Sequence, residues 1–359
     1  MKPNQTKSSL ALAIAAVWLV AAVTAAGNPA DNSGTTALYA VSAFASDDVW
    51  ATGYQYQGTL SFPLVEHWDG TSWTIIPNPS GVAQSQMHGI AVVAPDDVWF
   101  VGQTWNTDDQ AYILHWDGVS LQSVPPANPS LYVSLWSAAA VSATDVWAVG
   151  QSSNHTLTEH WDGTSWRVVP SPTGSYDFLE GVTALATNDV WAAGYTSDAS
   201  EILHWDGMHW SLSSSGTIGD YAGYRAISAL ASNDIWAIGF SEGTLTEHWD
   251  GTRWSRIASP NPSHVGNSLY SVVAITTDDV WTVGQAYGSP NRTLALHWNG
   301  AAWSQVKTPN IGRGFLANSL YAVDALSSND LWAVGIGQQA MTVHWDGARW
   351  SIVPNPADH

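Results

Sequence analysis

The chain lacks cysteine altogether. That excludes disulfides, thiolate metal sites and a lipoprotein attachment point. It is short of positive charge: 10 Lys and Arg stand against 30 Asp and Glu. Two of those ten bases lie in the first 26 residues, and without them the balance falls from −20 to −22. Nucleic acid and anionic lipid surfaces are therefore poor partners. There is no Gly-x-Ser-x-Gly elbow, no HExxH and no phosphate-binding loop, so the commonest signatures of hydrolase, zinc peptidase and nucleotide chemistry are missing. One apolar run occurs, Leu10 to Val23, and it is short for a membrane span. With Lys2 and Lys7 before it and Thr24-Ala25-Ala26 after it, residues 1–26 read as a signal peptide, an uncleaved anchor being the alternative. Residues 27–36 read as a polar linker.

What the chain does have is a repeat. Asp-(Val/Ile/Leu)-Trp occurs seven times, ending at Trp50, Trp99, Trp147, Trp191, Trp236, Trp281 and Trp332, at intervals of 44 to 51 residues. A second landmark, His-Trp-Asp/Asn-Gly, follows each one, at His67, His115, His160, His204, His248, His297 and His344. A period of this length with several short strands per unit predicts a β-propeller. The unit divides into four strands, A to D, exemplified by Leu38–Phe44, Val49–Gly53, Leu64–Trp68 and Trp73–Ile76. The long Pro-rich D-to-A connection must cross from rim to centre, which makes A innermost. The B–C and D–A loops then share one face, the top, and the tight A–B and C–D turns share the bottom. The expected fold is all-β: residues 37–359 form a seven-bladed propeller of four-stranded antiparallel blades. The repeats begin at strand A and end at strand D, so closure is expected without a shared blade.

Most repeated residues have structural explanations. Twenty of the 23 tryptophans recur in three columns, and a large aromatic repeated in every blade is blade-to-blade core. Blade 2 is the exception in strand D, with Leu121. The turn Asp residues suit Asx geometry, bonding to the backbone amides that follow; Asn299 replaces one in blade 6, which argues against calcium or acid–base work there. Equivalent strand-C histidines should stand roughly 14 Å apart, from a strand spacing of about 4.8 Å. They cannot share a metal ion and are expected to be hydrogen-bonded structural residues. No cofactor or metal is expected.

Function is expected where the repeats differ. The second residue of strand A reads Tyr39, His88, Trp136, Glu180, Arg225, Tyr270 and Tyr321. It falls at the top of the innermost strand, where neighbours should be about 6 Å apart by the same strand-spacing estimate. The competing reading is a Glu–Arg pair with aromatic plugs that close the channel. A second top-face column, after the Gly that ends strand B, reads Tyr54, Gln103, Gln151, Tyr195, Phe240, Gln285 and Ile336, a mixture that suits a sugar or a solvated rim. Two mature-chain tryptophans escape the core columns, Trp105 and Trp136, both on the top of adjacent blades.

The D-V-W-A-V-G … H-W-D-G-x-x-W unit resembles the repeats of secreted bacterial β-propellers over nearly the whole mature chain. It is more distantly similar to WD-repeat and Kelch propellers, although the Gly-His before strand A is missing and no WD-type hydrogen-bonding network is traceable. The Asp-Gly-x-x-Trp turn is similar to the Asp-box of sialidases, but Arg225 alone matches their arginine triad. Some polysaccharide lyases are similar in fold, and by residue type His88, Arg225 and Tyr270 would be the analogous set. The resulting expectation is a secreted, monomeric, non-enzymatic propeller that binds a glycan or an extracellular protein at Tyr39, His88, Trp105, Trp136, Glu180, Arg225, Tyr270 and Tyr321. The alternatives are a polysaccharide-degrading enzyme at the same place and a pure scaffold.

Overall fold

A computed structural model describes residues 35–79, 82–105, 109–128, 132–172, 176–196, 199–213, 222–311 and 318–357. The expected signal peptide and nearly all of the linker lie outside the described residues. Among the described residues no helix is long and apolar enough to cross a membrane.

The strands form seven four-stranded antiparallel sheets, each from consecutive strands. In blade 1 these are A (Ala37–Ala45), B (Asp48–Gln57), C (Leu60–Trp68) and D (Trp73–Ile75). Strands B and C are longer than the sequence reading gave. They continue into a two-residue hairpin in blade 1, where Gly58 has φ 66°, and in blade 3, where Ser153 and Asn154 have φ 50° and 69°. Two positive φ values in succession fit the twist of a tight hairpin. The A strands pack on one another in cyclic order, with blade 7 against blade 1. Among the described residues the blade-7 sheet, beginning at Ser319 and ending at Val353, contains no strand from the start of the chain. The propeller therefore closes by packing.

The tryptophan columns build that packing. The strand-B Trp of each blade inserts between the strand-C and strand-D tryptophans of the next. Trp147 lies 5.1 Å from Trp205 and 5.4 Å, edge-on, from Trp210. Trp332 closes the ring against Trp68 and Trp73 at 5.1 and 5.4 Å. Between blades 1 and 2 the strand-D ring is missing because Leu121 stands there. Phe100 of strand B supplies it instead, edge-on to Trp50 at 5.8 Å and in one buried cluster with Leu121. The other blades carry Ala or Thr at the Phe100 position, so an aromatic ring has moved from one strand to another and fills the same gap.

The landmark Asp residues differ from the Asx reading. Asp48 Oδ1 accepts a hydrogen bond from His67 Nε2 at 2.8 Å, and the same His–Asp bond recurs in all seven blades at 2.7 to 3.0 Å. The Trp of each triplet lies against that imidazole, Trp50 at 4.4 Å from His67. One His–Asp hydrogen bond thus ties strand C to strand B in each of the seven blades, which makes the strand-C histidines hydrogen-bonded structural residues. The C–D turns do follow the Asx reading. Asp69 Oδ1 accepts the amides of Thr71 and Ser72 at 2.9 Å, and Asn299 does the same for Ala301 and Ala302. Gly70 turns there at φ 89°, and a Cβ on it would lie 2.9 Å from the Asp47 side chain in the adjoining A–B turn.

The closing seam has its own fastening. Asp324 Oδ2 of blade 7 accepts the Ala43 amide of blade 1 at 2.8 Å, and Thr36 bonds Gln339 and the Ala357 carbonyl at 3.0 Å.

Candidate functional site at the channel mouth

Strand A is not a regular strand. In every blade its pairing with strand B slips twice, and each slip leaves one extra residue unpaired. Such bulges re-aim a side chain that the pleat would otherwise send elsewhere. The upper bulge falls on Tyr39, His88, Trp136, Glu180, Arg225, Tyr270 and Tyr321, the seven residues of the irregular column. The Gly that ends the DVWxxG motif lies across from each upper bulge because nothing larger fits. A Cβ on Gly53 would sit 2.0 Å from the Ala37 carbonyl oxygen, and the six equivalents are as close.

The re-aimed side chains meet. Tyr39 lies 5.3 Å from His88 on one side and 5.3 Å from Tyr321 on the other. His88 packs on Trp136 at 4.3 Å, and Tyr321 on Tyr270 at 5.5 Å. Arg225 sits 5.6 Å from the Tyr270 ring and 4.9 Å from Phe240. Its Nη1 donates to both Glu180 oxygens, at 2.9 and 2.8 Å. All seven are half-buried. Within the ring His88 Nε2, Trp136 Nε1 and Arg225 Nε have no hydrogen-bond partner among the described residues.

The electrostatics follow from enclosure. Burial lowers the His88 pKa to about 3, so its imidazole is neutral at physiological pH. Burial and neighbouring tyrosines push Tyr39 and Tyr270 well above the usual phenol range, and burial puts Tyr321 at about 12. Burial opposes the Arg225 charge, but Glu180, Tyr195 and Tyr270 together outweigh that and keep the guanidinium ionised.

The second column surrounds the first. Tyr54 packs on Tyr39 at 5.6 Å, Gln285 accepts from the Tyr270 hydroxyl at 3.3 Å, and Gln103 accepts from Ser134. Trp105 stands apart. It is half-buried just past strand B of blade 2, held by its amide to the Gln84 carbonyl at 2.9 Å. Among the described residues no ring contact joins it to His88 or Trp136. Among the described residues no three His, Asp or Glu side chains converge as a metal cage.

Strand A carries a second, lower bulge in every blade. It falls on Phe44, Val93, Val141, Leu185, Leu230, Ile275 and Leu326. The same backbone device thus presents a purely apolar ring at the bottom and a mixed polar and aromatic ring at the top. A cleft of about 530 Å³ lies beside the lower ring, between blades 1 and 2, lined by Phe44, Trp50, His67 and Trp116 among others.

No protein-family model matches the chain, and no curated protein matches it. Solved structures do, at low identity. A structure of YCF48 bound to D1 peptide shares 13% identity at TM-score 0.60, over 87% of this chain and 93% of that one. YCF48 from Cyanidioschyzon merolae gives 14% and 0.56, over 86% and 96%. The SapL1 lectin in complex with alpha methyl fucoside gives 13% and 0.55, over 76% and 96%. At such identities these likenesses establish the propeller fold.

Proposed function

We propose that this chain is a non-catalytic binding propeller whose upper channel mouth holds a neutral glycan. The contrast between the two bulge rings carries the reading. Closing a channel needs only apolar side chains, as the lower ring has. The upper ring instead carries three tyrosines, a tryptophan, a neutral imidazole and an ion pair, with three nitrogens left without partners. Aromatic faces flanked by neutral donors and acceptors suit hydroxylated sugar rings. Arg225 is matched by Glu180, so the ring offers no spare positive charge to a carboxylate or phosphate. The same pairing counts against the lyase alternative. General acid–base work needs groups that titrate near the working pH, and burial moves both His88 and Tyr270 far from it. The lectin complex and the peptide complex among the structural neighbours are in keeping with ligand binding by such a propeller. The N-terminal segment supports secretion as the route to an extracellular glycan.

A glycan array probed with residues 27–359 tests the reading. Trp136→Ala should weaken the strongest signal about tenfold, the equivalent of one lost aromatic contact of roughly 1.4 kcal/mol. The sugar should be recovered intact by mass spectrometry. Degradation that stops in His88→Ala would establish the enzyme instead. A blank array with a captured protein would move the ligand class to protein.

A further inference from the structure

We infer that the site continues outward from the mouth as a ridge over blades 3 and 4, where Tyr132 and Tyr176 stack on the continuing chain of an oligosaccharide. This rests on the glycan reading of the mouth and adds that the ligand is a chain, not a lone terminal sugar.

Both tyrosines occupy the place four residues before the upper bulge, Tyr132 before Trp136 and Tyr176 before Glu180. The turn there demands a left-handed backbone. Blade 6 meets that demand with Gly266 at φ 150° and blade 2 with a half-buried Gln84 at φ 55°, whereas Tyr132 and Tyr176 both sit at φ 59°. A bulky residue in that region is strained, and strain of this kind is ordinarily offset by burial. Here it is not, because Tyr132 is 60% and Tyr176 56% exposed. Two strained tyrosines at equivalent places, both facing water, gain nothing for the fold that glycine would not supply.

The two are tied into one surface. The Tyr132 carbonyl accepts the Ser153 amide at 2.9 Å, and the Asn154 carbonyl accepts the Asp177 amide at 3.1 Å. The Ser153-Asn154 hairpin of blade 3 thus bridges the segments that bear Tyr132 and Tyr176. Two such links and two Cα steps put the tyrosine Cα atoms within about 18 Å. Each is within about 13 Å of its own mouth residue, the reach of four extended residues. Mouth and ridge are therefore continuous and of oligosaccharide dimensions. Gln151 lies between them with its Oε1 unpartnered among the described residues, an acceptor for a ligand hydroxyl. A peptide fits less well. The Tyr132 and Asn154 carbonyls are already occupied, so neither is open to the backbone of an added strand.

The test uses affinity electrophoresis in mixed-linkage β-glucan, xylan and galactomannan, beside calorimetric titration with glucose, xylose, mannose and fucose. Tyr132→Gly/Tyr176→Gly should cut polysaccharide retention at least tenfold and leave monosaccharide affinity within twofold. Its melting temperature should equal or exceed that of wild type, since glycine relieves both strained positions; Tyr132→Phe/Tyr176→Phe should keep retention. Trp136→Ala should weaken both kinds of binding. Unchanged retention in the glycine variant would overturn the ridge and leave the mouth standing, as would a wild type that binds free sugars but no polysaccharide. Binding of neither would overturn mouth and ridge together.

Discussion

At the scale of single residues, the most informative positions are those that break a column. Glu201 stands across from Gly194 in strand C of blade 4, where the other blades hold Leu64, Tyr112, Leu157, Leu245, Leu294 and Met341. Its side chain is 6% exposed, with Oε2 unpartnered. Burial, reinforced by the charge of Asp177, raises its pKa from 4.5 to about 7. An acid raised in the folded state binds its proton more tightly there than in the unfolded chain. Its contribution to stability is therefore present below about pH 4.5 and lost as pH rises through about 7. Glu201→Leu restores the apolar column. It should stabilise the protein at pH 8 by about 1–3 kcal/mol, the scale of an uncompensated buried polar group. Thermal melts from pH 5 to 8 should show that gain shrinking toward acid. A variant no more stable than wild type at pH 8 would mean that the carboxylate is satisfied in place. The mouth residues were legible in the sequence because a column that mixes Tyr, His, Trp, Glu and Arg stands out in a chain otherwise so repetitive; Glu201 emerged only once strand pairing placed it across from Gly194. The ridge tyrosines were not, because Tyr at three of the seven equivalent positions, Tyr132, Tyr176 and Tyr221, is no anomaly until the backbone conformation and exposure of Tyr132 and Tyr176 are known.

At the scale of strands and blades, the sequence carried the period, the phase and the tryptophan core, because each is a fixed spacing between identical residues. It did not carry register. The bulges are slips between two strands, and their only trace in the sequence is a glycine that reads equally well as the end of a strand. The His–Asp bonds were hidden by distance, since Asp48 and His67 meet only when strand C lies beside strand B. The exchange between Phe100 and Leu121 was half visible, as a missing Trp whose replacement lay two strands away. That exchange can be tested directly. Phe100→Ala should cost about 3–5 kcal/mol by emptying the space against Trp50. Leu121→Trp should cost about 1–3 kcal/mol by overfilling it. Together they rebuild the arrangement of the other six blades. The double variant should lie at least about 1 kcal/mol above the sum of the singles, a coupling typical of residues in contact. Additive losses in chemical denaturation would show that the two rings do not share one space.

At the scale of the whole molecule, the seven seams are alike in core and differ in fastening. Six join blades that the chain already connects. The seventh joins blade 7 to blade 1 and adds Asp324 and Thr36. A carboxylate stands there where the other A strands carry Ser, Ala, Thr or Val. Burial raises the Asp324 pKa, and the Ala43 and Ala325 amides it accepts draw it back. Charge-assisted acceptance of a backbone amide is stronger than that of a neutral hydroxyl, which suits the one seam where the chain ends must be held. Because no strand is shared there, the order of blades along the chain should be dispensable. Thr36 Oγ1 lies 3.0 Å from the Ala357 carbonyl, so a short linker can join the two ends. A permutant that starts at Ala222, ends at Ser213 and carries that linker should fold to the native spectrum. It should melt cooperatively, a few degrees below the parent, and bind the same glycan with unchanged affinity. The lower melting temperature is expected because its open seam, between blades 4 and 5, has the Trp191 packing but was not fastened to hold chain ends. Failure to fold would mean that blade packing alone cannot close the ring. A permutant as stable as the parent would mean that Asp324 and Thr36 add nothing to closure.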